Sequence, residues 1–330
     1  MLDIISIGSA TRDGFFEGVP FTEIKSKSFK LGKGICLPFG DKVIVPKITF
    51  STGGGAVNTA TTFSRQGLKT ATIIRVANDI SGKELIAGLK KEKVDIKFVQ
   101  TDFKTSTGYS VIFLTPSAER TILTYRGCSD NLTEKEIPWE KLKTKWIFID
   151  PLGGNEKLLK KILSFCKNNK IKVASTPGKG ELKILKQNPS WLNYYDVFIL
   201  NQEEASELTD VSYMSEKAIF KKLDKWVNGI VVMTKGRGGA TVSDGHKLYQ
   251  AGIFKEKNLI DRTGAGDAFA SGFVSGLILK PNDLDYAVKL GSANGTAVVE
   301  HIGSLAGILK KGEINQSRWN KFPVKIINLN

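Results

Sequence analysis

The sequence has little histidine, little cysteine and no long apolar run. Of its 330 residues only two are histidine and three are cysteine. Two histidines argue against a histidine-based zinc site, and three widely spaced cysteines are typical of a reducing compartment. No segment approaches the 18 apolar residues of a membrane span, and Met1 leads straight into a strand-like run. We therefore predict a cytoplasmic protein without a transmembrane segment or a signal peptide.

The sequence also lacks internal repeats, low-complexity segments and the Gly-x-x-x-x-Gly-Lys-Ser/Thr pattern of P-loop enzymes. Its net charge is +15, from 48 Lys and Arg against 33 Asp and Glu. Such a balance is compatible with nucleic acid, a membrane surface or an anionic small molecule as a partner. The lysines are interrupted by apolar residues throughout, which favours a solvated basic face over a nucleic-acid or membrane surface. The same field would attract a phosphorylated ligand.

Strand-like and helix-like segments alternate along most of the chain, and 41% of the residues are hydrophobic. Helix-like stretches separate the short apolar runs that read as buried strands. This alternation predicts an α/β fold with a mostly parallel sheet covered on both faces. The predicted strands are 2–8, 145–150, 171–175, 196–200 and 230–234, and the predicted helices include 155–168, 215–226 and 283–299.

Two regions break this alternation. Residues 15–50 are rich in Lys, Gly and Pro and contain a strand-like segment at 42–50, while 107–114 and 120–126 alternate apolar and polar residues around a loop at 115–119. Alternation of this kind is typical of half-exposed antiparallel strands. We therefore predict a small β-structure that interrupts the main domain twice, from about 14–50 and 104–127, and covers an active site as a lid.

The most informative segment runs from Asp261 to Phe273, Asp-Arg-Thr-Gly-Ala-Gly-Asp-Ala-Phe-Ala-Ser-Gly-Phe. Gly264 and Gly266 allow a tight turn and close approach to a ligand, and the apolar run that follows is helical in composition. A helix N-terminus favours a phosphate, and Asp267 would lie beside it as a potential general base. An ordinary helix cap with a favourably placed acid explains this segment alone equally well.

A second glycine-rich segment, residues 53–58, follows the predicted lid strand and opens a helix. Asn58 occupies the place of the third glycine of a dinucleotide fingerprint, and its amide suits a hydroxyl-rich ligand. A lid hinge is the competing interpretation. Asp13, just after the first strand, would accept hydrogen bonds from sugar hydroxyls, although an Asp-Gly turn is the commoner explanation.

Two further segments follow predicted strands of the main sheet. Asn201 and Glu204 would share a helix face and suit a hydrated Mg²⁺, but an ordinary N-capped helix explains the pair as well. The loop from Thr234 to Gly239 contains glycines, a hydroxyl and cations that suit a nucleotide polyphosphate. A plain hairpin loop is the alternative there.

In their chain order, these segments resemble the ribokinase-like (PfkB) family of carbohydrate and nucleoside kinases. The segment with Asn58 resembles the family's first signature, residues 261–273 resemble the second, and Asn201 with Glu204 resembles its Asn-x-x-Glu element. The resemblance covers nearly the whole chain. It implies one three-layer αβα kinase domain over residues 1–330, with a mostly parallel central sheet and a small β-sheet lid.

The resemblance also implies roles for individual residues. Asp267 would be the catalytic base that deprotonates a substrate hydroxyl as it attacks the γ-phosphate of ATP, and the backbone of Gly264, Ala265 and Gly266 would form an anion hole. The other implied positions are Asp13, Gly54 and Asn58 for the sugar, Thr234, Gly236, Asn201 and Asn294 for the nucleotide, and Asn201 with Glu204 for Mg²⁺, mainly through water.

Many members of that family bind a monovalent cation, and Asp261, Thr263 and Gly303 occupy the matching neighbourhood, which implies a K⁺ site. Many also pair through the edge of the lid, which implies a homodimer. The expected partners are therefore a small sugar or nucleoside and a second copy of the chain, without nucleic acid or membrane.

The departures from the family pattern concern the acceptor. Gly55 replaces the lysine of ribokinases, and no ribose-binding glutamate is evident in residues 151–155. Ribose is therefore a poor candidate, and a nucleoside kinase is the alternative within the family. Arg126 either meets an anionic group of the acceptor or faces solvent, which we favour. Two alternatives belong to other functional classes. A nucleic-acid-binding or regulatory protein would need a contiguous basic face, and a catalytically silent sugar sensor would not need Asp267.

Overall fold

The computed structural model describes residues 1–29, 32–115 and 120–329. Strands make up two main sheets and two small ribbons within this range. The strands are β1 (Leu2–Ile7), β2 (Thr11–Glu17), β3 (Thr22–Lys25), β4 (Lys33–Cys36), β5 (Lys47–Gly53), β6 (Thr70–Ile73), β7 (Arg75–Ala77), β8 (Gln100–Asp102), β9 (Gly108–Leu114), β10 (Arg120–Tyr125), β11 (Thr144–Ile149), β12 (Lys172–Ser175), β13 (Val197–Asn201), β14 (Ile230–Thr234), β15 (Ala240–Ser243), β16 (Lys247–Ala251) and β17 (Val324–Asn328).

Helices fill most of the segments between the strands of the larger sheet. Several begin at side chains that cap free backbone N–H groups, as Asn155 does by accepting from the N–H of Leu158. The helices are α1 (Gly55–Arg65), α2 (Ile80–Lys91), α3 (Glu156–Asn169), α4 (Lys179–Gln187), α5 (Gln202–Thr209), α6 (Glu216–Leu223), α7 (Ala265–Leu279) and α8 (Leu284–Val298).

The larger sheet has nine strands in the order β17-β16-β15-β14-β13-β12-β11-β1-β6. The six strands β14, β13, β12, β11, β1 and β6 are parallel to one another. Beyond β14, the strands β15, β16 and β17 continue the sheet in antiparallel pairs. Because connections between parallel strands cross a face of the sheet, helices cover both faces. The carboxyl ends of the parallel strands share one edge, where ligands bind in sheets of this kind.

Alternate residues of these strands pack against different helix layers. Ile5 and Ile7 of β1 belong to an apolar cluster that includes residues of α3 to α6. Their neighbour Ile4 belongs to a second cluster that includes Phe63 of α1 and Phe273 of α7. The arrangement is a three-layer αβα core, as predicted.

The smaller sheet, which we call the lid sheet, has the strand order β10-β9-β2-β5. Its outer pairs are antiparallel, whereas β2 and β9 are parallel. The strands come from two separate parts of the chain on either side of β6, α2 and β8. The predicted fold class, a mostly parallel sheet with helices and a small second sheet, is confirmed.

Three details differ from the sequence-based expectation. The strand predicted at 42–50 begins at Lys47, immediately after Pro46, which has no N–H to donate to a ladder. Asp13 does not lie in a turn but inside β2. The antiparallel strands β15 to β17 were not predicted, and residues 116–119 of the predicted lid loop lie outside the described residues.

A helix needs about 20 mostly apolar residues to cross a bilayer. Within the described residues, no helix is long and apolar enough to cross a bilayer.

Candidate active site

The N-terminus of α7 is formed by a glycine in a left-handed conformation. Gly264 has φ +76°, and a Cβ on it would lie 2.4 Å from Cβ of Ser304, so only glycine fits the turn. Among the described residues, no side chain caps the helix. The N–H of Ala265 donates to the carbonyl oxygen of Arg262 at 3.3 Å, whereas those of Gly264, Gly266 and Asp267 meet no acceptor within the described residues. These free donors make the turn a ready anion site.

Asp267 follows this turn and meets α1 across the site. The side-chain amide of Asn58 donates to Oδ2 of Asp267 at 2.7 Å. The amide oxygen of Asn58 accepts from the hydroxyl of Ser304 at 2.7 Å, which fixes the orientation of the amide. Burial raises the pKa of Asp267, and the hydrogen bond from Asn58 partly offsets that rise. The structure thus brings together Asn58 and Asp267, which were both predicted as site residues. Ser304, which holds the amide of Asn58, was not predicted.

Asp150 is a buried carboxyl that we did not predict as a site residue. It follows β11 directly, its Oδ2 accepts from the hydroxyl of Thr59 at 2.8 Å, and its Oδ1 has no hydrogen-bond partner in the described part of the chain. Burial, reinforced by the nearby charge of Asp267, raises the pKa of Asp150 well above its usual value. The signal in the sequence is an acid at the carboxyl end of an apolar parallel strand.

The glycine-rich segment before α1 packs against the backbone that follows β1. A Cβ on Gly54, which has φ +92°, would lie 2.6 Å from the carbonyl oxygen of Ser9. A Cβ on Gly55 would lie 2.7 Å from Oδ1 of Asp150. The lysine found here in ribokinases would therefore collide with Asp150, which explains why this chain has glycine at position 55.

Asp13 lies inside the lid sheet, almost fully buried. Its Oδ1 accepts from the hydroxyl of Thr11 at 3.0 Å, and a Cβ on Gly53 of the paired strand would lie only 2.0 Å from its Oδ2. Burial raises the pKa of Asp13, although hydrogen bonds from Ser110 and Thr11 act against the rise. The carboxyl is therefore enclosed within the lid sheet, between Thr11 and Gly53.

Asp261 accepts hydrogen bonds from Thr263 and Gly303, the other two residues predicted for a monovalent cation. Its Oδ1 accepts from the backbone N–H and the hydroxyl of Thr263 at 2.9 and 2.7 Å, and its Oδ2 accepts from the N–H of Gly303 at 3.0 Å. Asp261 is fully buried. The carboxylate thus ties the start of the α7 turn to the loop after α8.

Asn201 and Glu204 form a reciprocal cap at the start of α5. Oδ1 of Asn201 accepts from the N–H of Glu204 at 2.9 Å, and Oε2 of Glu204 accepts from the N–H of Asn201 at 2.8 Å. Burial raises the pKa of Glu204, and its bonds to Asn201 oppose the shift. The cap accounts for the pair structurally and also holds both oxygen-bearing side chains at the end of β13.

A cavity of about 480 Å³ opens beside the α7 turn. Its lining includes Asn201, Thr234 and Gly236 together with Ala265 and Gly266, so three of the four predicted nucleotide residues and two of the three predicted anion-hole residues meet there. The loop with Thr234 is also a hairpin between β14 and β15. The loop is therefore a hairpin, and its role in binding a nucleotide stays a prediction.

Asn294 does not reach this cavity. Its amide nitrogen donates to the carbonyl oxygen of Ala268 at 2.7 Å, and its amide oxygen accepts from the N–H of Leu309 at 2.9 Å. Ser292, Gly295 and Thr296 of the same helix line the cavity instead. The helix was predicted, but the sequence did not show which of its faces meets the nucleotide.

Arg126 lies just beyond the end of β10 with 56% of its side chain exposed, and its guanidinium is 3.6 Å from Asp130. This placement agrees with a solvent-facing strand end, the interpretation that we favoured.

Comparisons with known proteins address the fold and the chemistry together. A model of the pfkB family carbohydrate kinases matches residues 26–311. The chain is 25% identical to a ribokinase of Haemophilus influenzae over 79% of this chain and 85% of that protein. It is 27% identical to a cytidine kinase of Thermococcus kodakarensis over 82% of this chain and 93% of that one.

Among solved structures, an Escherichia coli protein in complex with ATP and Mg²⁺ superimposes with a TM-score of 0.76 at 18% identity, covering 93% of this chain and 96% of that one. At that identity the likeness shows the fold. The family model matches most of the chain, and this match agrees with the order of the glycine-rich motifs. The chain therefore belongs to the pfkB family of carbohydrate kinases and is a phosphotransferase.

Proposed function

We propose that the chain transfers the γ-phosphate of ATP to a hydroxyl group, most simply a hydroxymethyl, of a sugar. One observation carries the proposal. The Asp267 carboxylate, held by Asn58 at 2.7 Å, immediately follows the α7 turn with its unpaired N–H groups, and Gly266 of that turn lines a cavity of about 480 Å³. A base and an anion site are thereby adjacent.

In the proposed reaction, Asp267 accepts the proton of the acceptor hydroxyl while that oxygen attacks the γ-phosphorus. The bond from the γ-phosphorus to the bridging oxygen of ADP breaks, and ADP leaves. The N–H groups of Gly264 and Gly266 would stabilise charge on the transferring group, and that of Ala265 would join them by giving up its long bond to Arg262. Asp13, Gly54 and Asn58 would position the acceptor.

The nucleotide would occupy the cavity lined by Thr234, Gly236 and Ser292. Mg²⁺, when bound, would neutralise phosphate charge, and Asn201 and Glu204 offer oxygen atoms of the kind that it prefers. No cluster of three or more His, Cys, Asp and Glu side chains capable of holding a metal occurs in the described residues. This favours an ion held mainly through water and the phosphates.

We also propose a K⁺ site at Asp261, Thr263 and Gly303. The support is the buried Asp261 carboxylate that joins the α7 turn to the loop at Gly303. A cation there would position the anion hole without touching the acceptor. Activity that is equal in K⁺ and in choline at constant ionic strength would remove this part of the proposal.

The proposed organisation is a single domain over residues 1–330 with a lid from about 14–50 and 104–127, paired as a homodimer through the lid. Exposed apolar side chains on both outer strands of the lid sheet support the pairing, namely Ile48, Phe50, Ile122, Leu123 and Tyr125. Leu123→Glu should convert a dimer into a monomer in light scattering. A wild-type monomer at micromolar concentration would contradict the pairing.

The cytoplasm is the proposed location, and the support is that all three cysteines are free thiols, two of them buried.

The acceptor is proposed as a sugar, with a nucleoside as the second candidate. Similarity to a ribokinase and to a cytidine kinase supports both classes. The family match leaves little support for the nucleic-acid-binding and regulatory alternatives.

An ATP-consumption screen tests the proposal across pentoses, hexoses, sugar phosphates, sugar acids and nucleosides. We expect Mg²⁺-dependent turnover with one of these classes and its loss in Asp267→Asn. Turnover with nucleosides but not with sugars would select the second candidate, and no turnover with any class would contradict the proposal.

A further inference from the structure

The cavity beside the α7 turn carries more positive charge than the family motifs account for. Among the described residues that line it are three arginines, Arg120, Arg237 and Arg262, and one carboxylate, Glu256. Such an excess favours an anionic ligand. Arg237 belongs to the hairpin loop after β14 and Arg262 precedes the α7 turn, but Arg120 comes from the lid sheet.

Arg120 is placed differently from the rest of its strand. It is the first residue of β10 and pairs with Leu114 of β9. The five residues that follow it in β10 are all exposed, whereas Arg120 is partly buried. Its side chain lines the cavity on which Asn201, Thr234 and Gly266 also border. Of the described residues of the lid sheet, Arg120 alone lines this cavity.

The guanidinium of Arg120 is incompletely satisfied. Its Nε is buried and has no hydrogen-bond partner within the described residues. An arginine side chain stays charged at any physiological pH and cannot lose its buried N–H. The hydrogen bond of that N–H must therefore go to an acceptor on a molecule that binds in the cavity. Phosphate oxygens, like carboxylate oxygens, match the planar fork of N–H groups, and this cavity is the one proposed for the nucleotide.

We propose that Arg120 binds the polyphosphate of the nucleotide from the lid side, opposite the N–H groups of the α7 turn. The transferring phosphoryl group then lies between backbone donors of the core and a guanidinium of the lid sheet. Because phosphoryl transfer depends on charge stabilisation around the phosphate oxygens, Arg120 is a catalytic residue in addition to those of the motifs. This inference rests on the proposed function, since it requires ATP in the cavity.

The test compares Arg120→Gln and Arg120→Lys with a control, Lys47→Gln, which removes the same charge from an exposed site of the lid sheet. Lys47 is 62% exposed and pairs with Glu17 at 3.0 Å. Binding of a non-hydrolysable ATP analogue with Mg²⁺ and binding of adenosine are measured by calorimetry for each protein. Melting temperatures without ligand show whether each variant is folded.

We expect Arg120→Gln to weaken binding of the ATP analogue about tenfold or more, as loss of a charge-assisted hydrogen bond does, with adenosine binding unchanged. Arg120→Lys should be intermediate, and Lys47→Gln should match the wild type. Once the acceptor is known, kcat of Arg120→Gln should fall about 10²-fold, as for removal of one transition-state donor.

Wild-type affinity of Arg120→Gln for the ATP analogue would overturn this inference alone, as would an equal loss of adenosine binding. If the wild type itself does not bind the analogue, the proposed function fails and this inference fails with it.

Discussion

Asn58 and Asp267, which lie 209 positions apart in the chain, are joined by a 2.7 Å hydrogen bond between the amide nitrogen and Oδ2. The bond links α1, which follows the lid sheet, to the N-terminus of α7. It places the proposed acceptor site and the proposed base in direct contact.

Asp267→Asn is expected to lower kcat by roughly 10²-fold or more, because a general base is lost while the shape of the side chain is kept. Stabilisation of the protein by ATP should persist, since the α7 donors are backbone groups. Asp285→Asn, at an exposed position of α8, serves as the matched control. Near-normal turnover of Asp267→Asn in the ATP-consumption assay would remove Asp267 from its role.

The pH dependence of kcat should change in Asn58→Ala. The base acts only when ionised, so activity falls as pH drops through the pKa of Asp267, which burial holds above the usual range. The hydrogen bond from Asn58 lowers that pKa, and its removal raises it further. The acid limb of the kcat profile should therefore move to higher pH. An unchanged acid limb would mean that another group sets it.

Asp150→Asn should stabilise the protein relative to the wild type, and the gain should grow as pH rises from about 4. Burial and the charge of Asp267 raise the pKa of Asp150 in the folded state. Above the unfolded-state pKa the unfolded chain releases this proton and the folded chain retains it, so the stability contributed by this group falls with rising pH. Urea denaturation from pH 4 to 8 measures the difference, and a constant difference would contradict the raised pKa.

Glu204→Gln should shift the Mg²⁺ dependence of turnover to higher concentration with little loss of stability. Glutamine keeps an oxygen that can accept from the N–H of Asn201, so the helix cap is retained while the charge is lost. Glu207→Gln, one turn further along α5 and exposed, is the control. A Mg²⁺ titration identical to that of the wild type would separate Glu204 from the metal.

Local patterns in the sequence predicted five of the six parallel strands, all but β6, and both glycine-rich turns, because burial and backbone conformation at those positions depend on a few adjacent residues. They did not show which side of a helix or strand meets the cavity. Asn294 lies on the predicted helix but faces Ala268 and Leu309. Arg120, by contrast, was not singled out, because only the path of the lid sheet brings it to the cavity.

Asp150 illustrates the other limit. In the sequence it is one acid at the end of an apolar run, a signal that does not by itself single out a site residue. Its significance depends on Thr59 and Gly55, which approach it from a distant helix. Such a contact is a tertiary relationship, and one sequence does not record it. The glycine in place of the ribokinase lysine at position 55 was recognised, but its contact with Asp150 became visible only in the structure.

The strand order of the larger sheet has a consequence for synthesis. From β11 to β17 every neighbouring pair is formed by strands that are consecutive in the chain, and β1 needs only β6 and β11 to be enclosed. A growing polypeptide can therefore extend its sheet one strand at a time as it leaves the ribosome. The proposed base, Asp267 in α7, emerges after β16, so shorter nascent chains should already be folded over much of the sheet and still be inert.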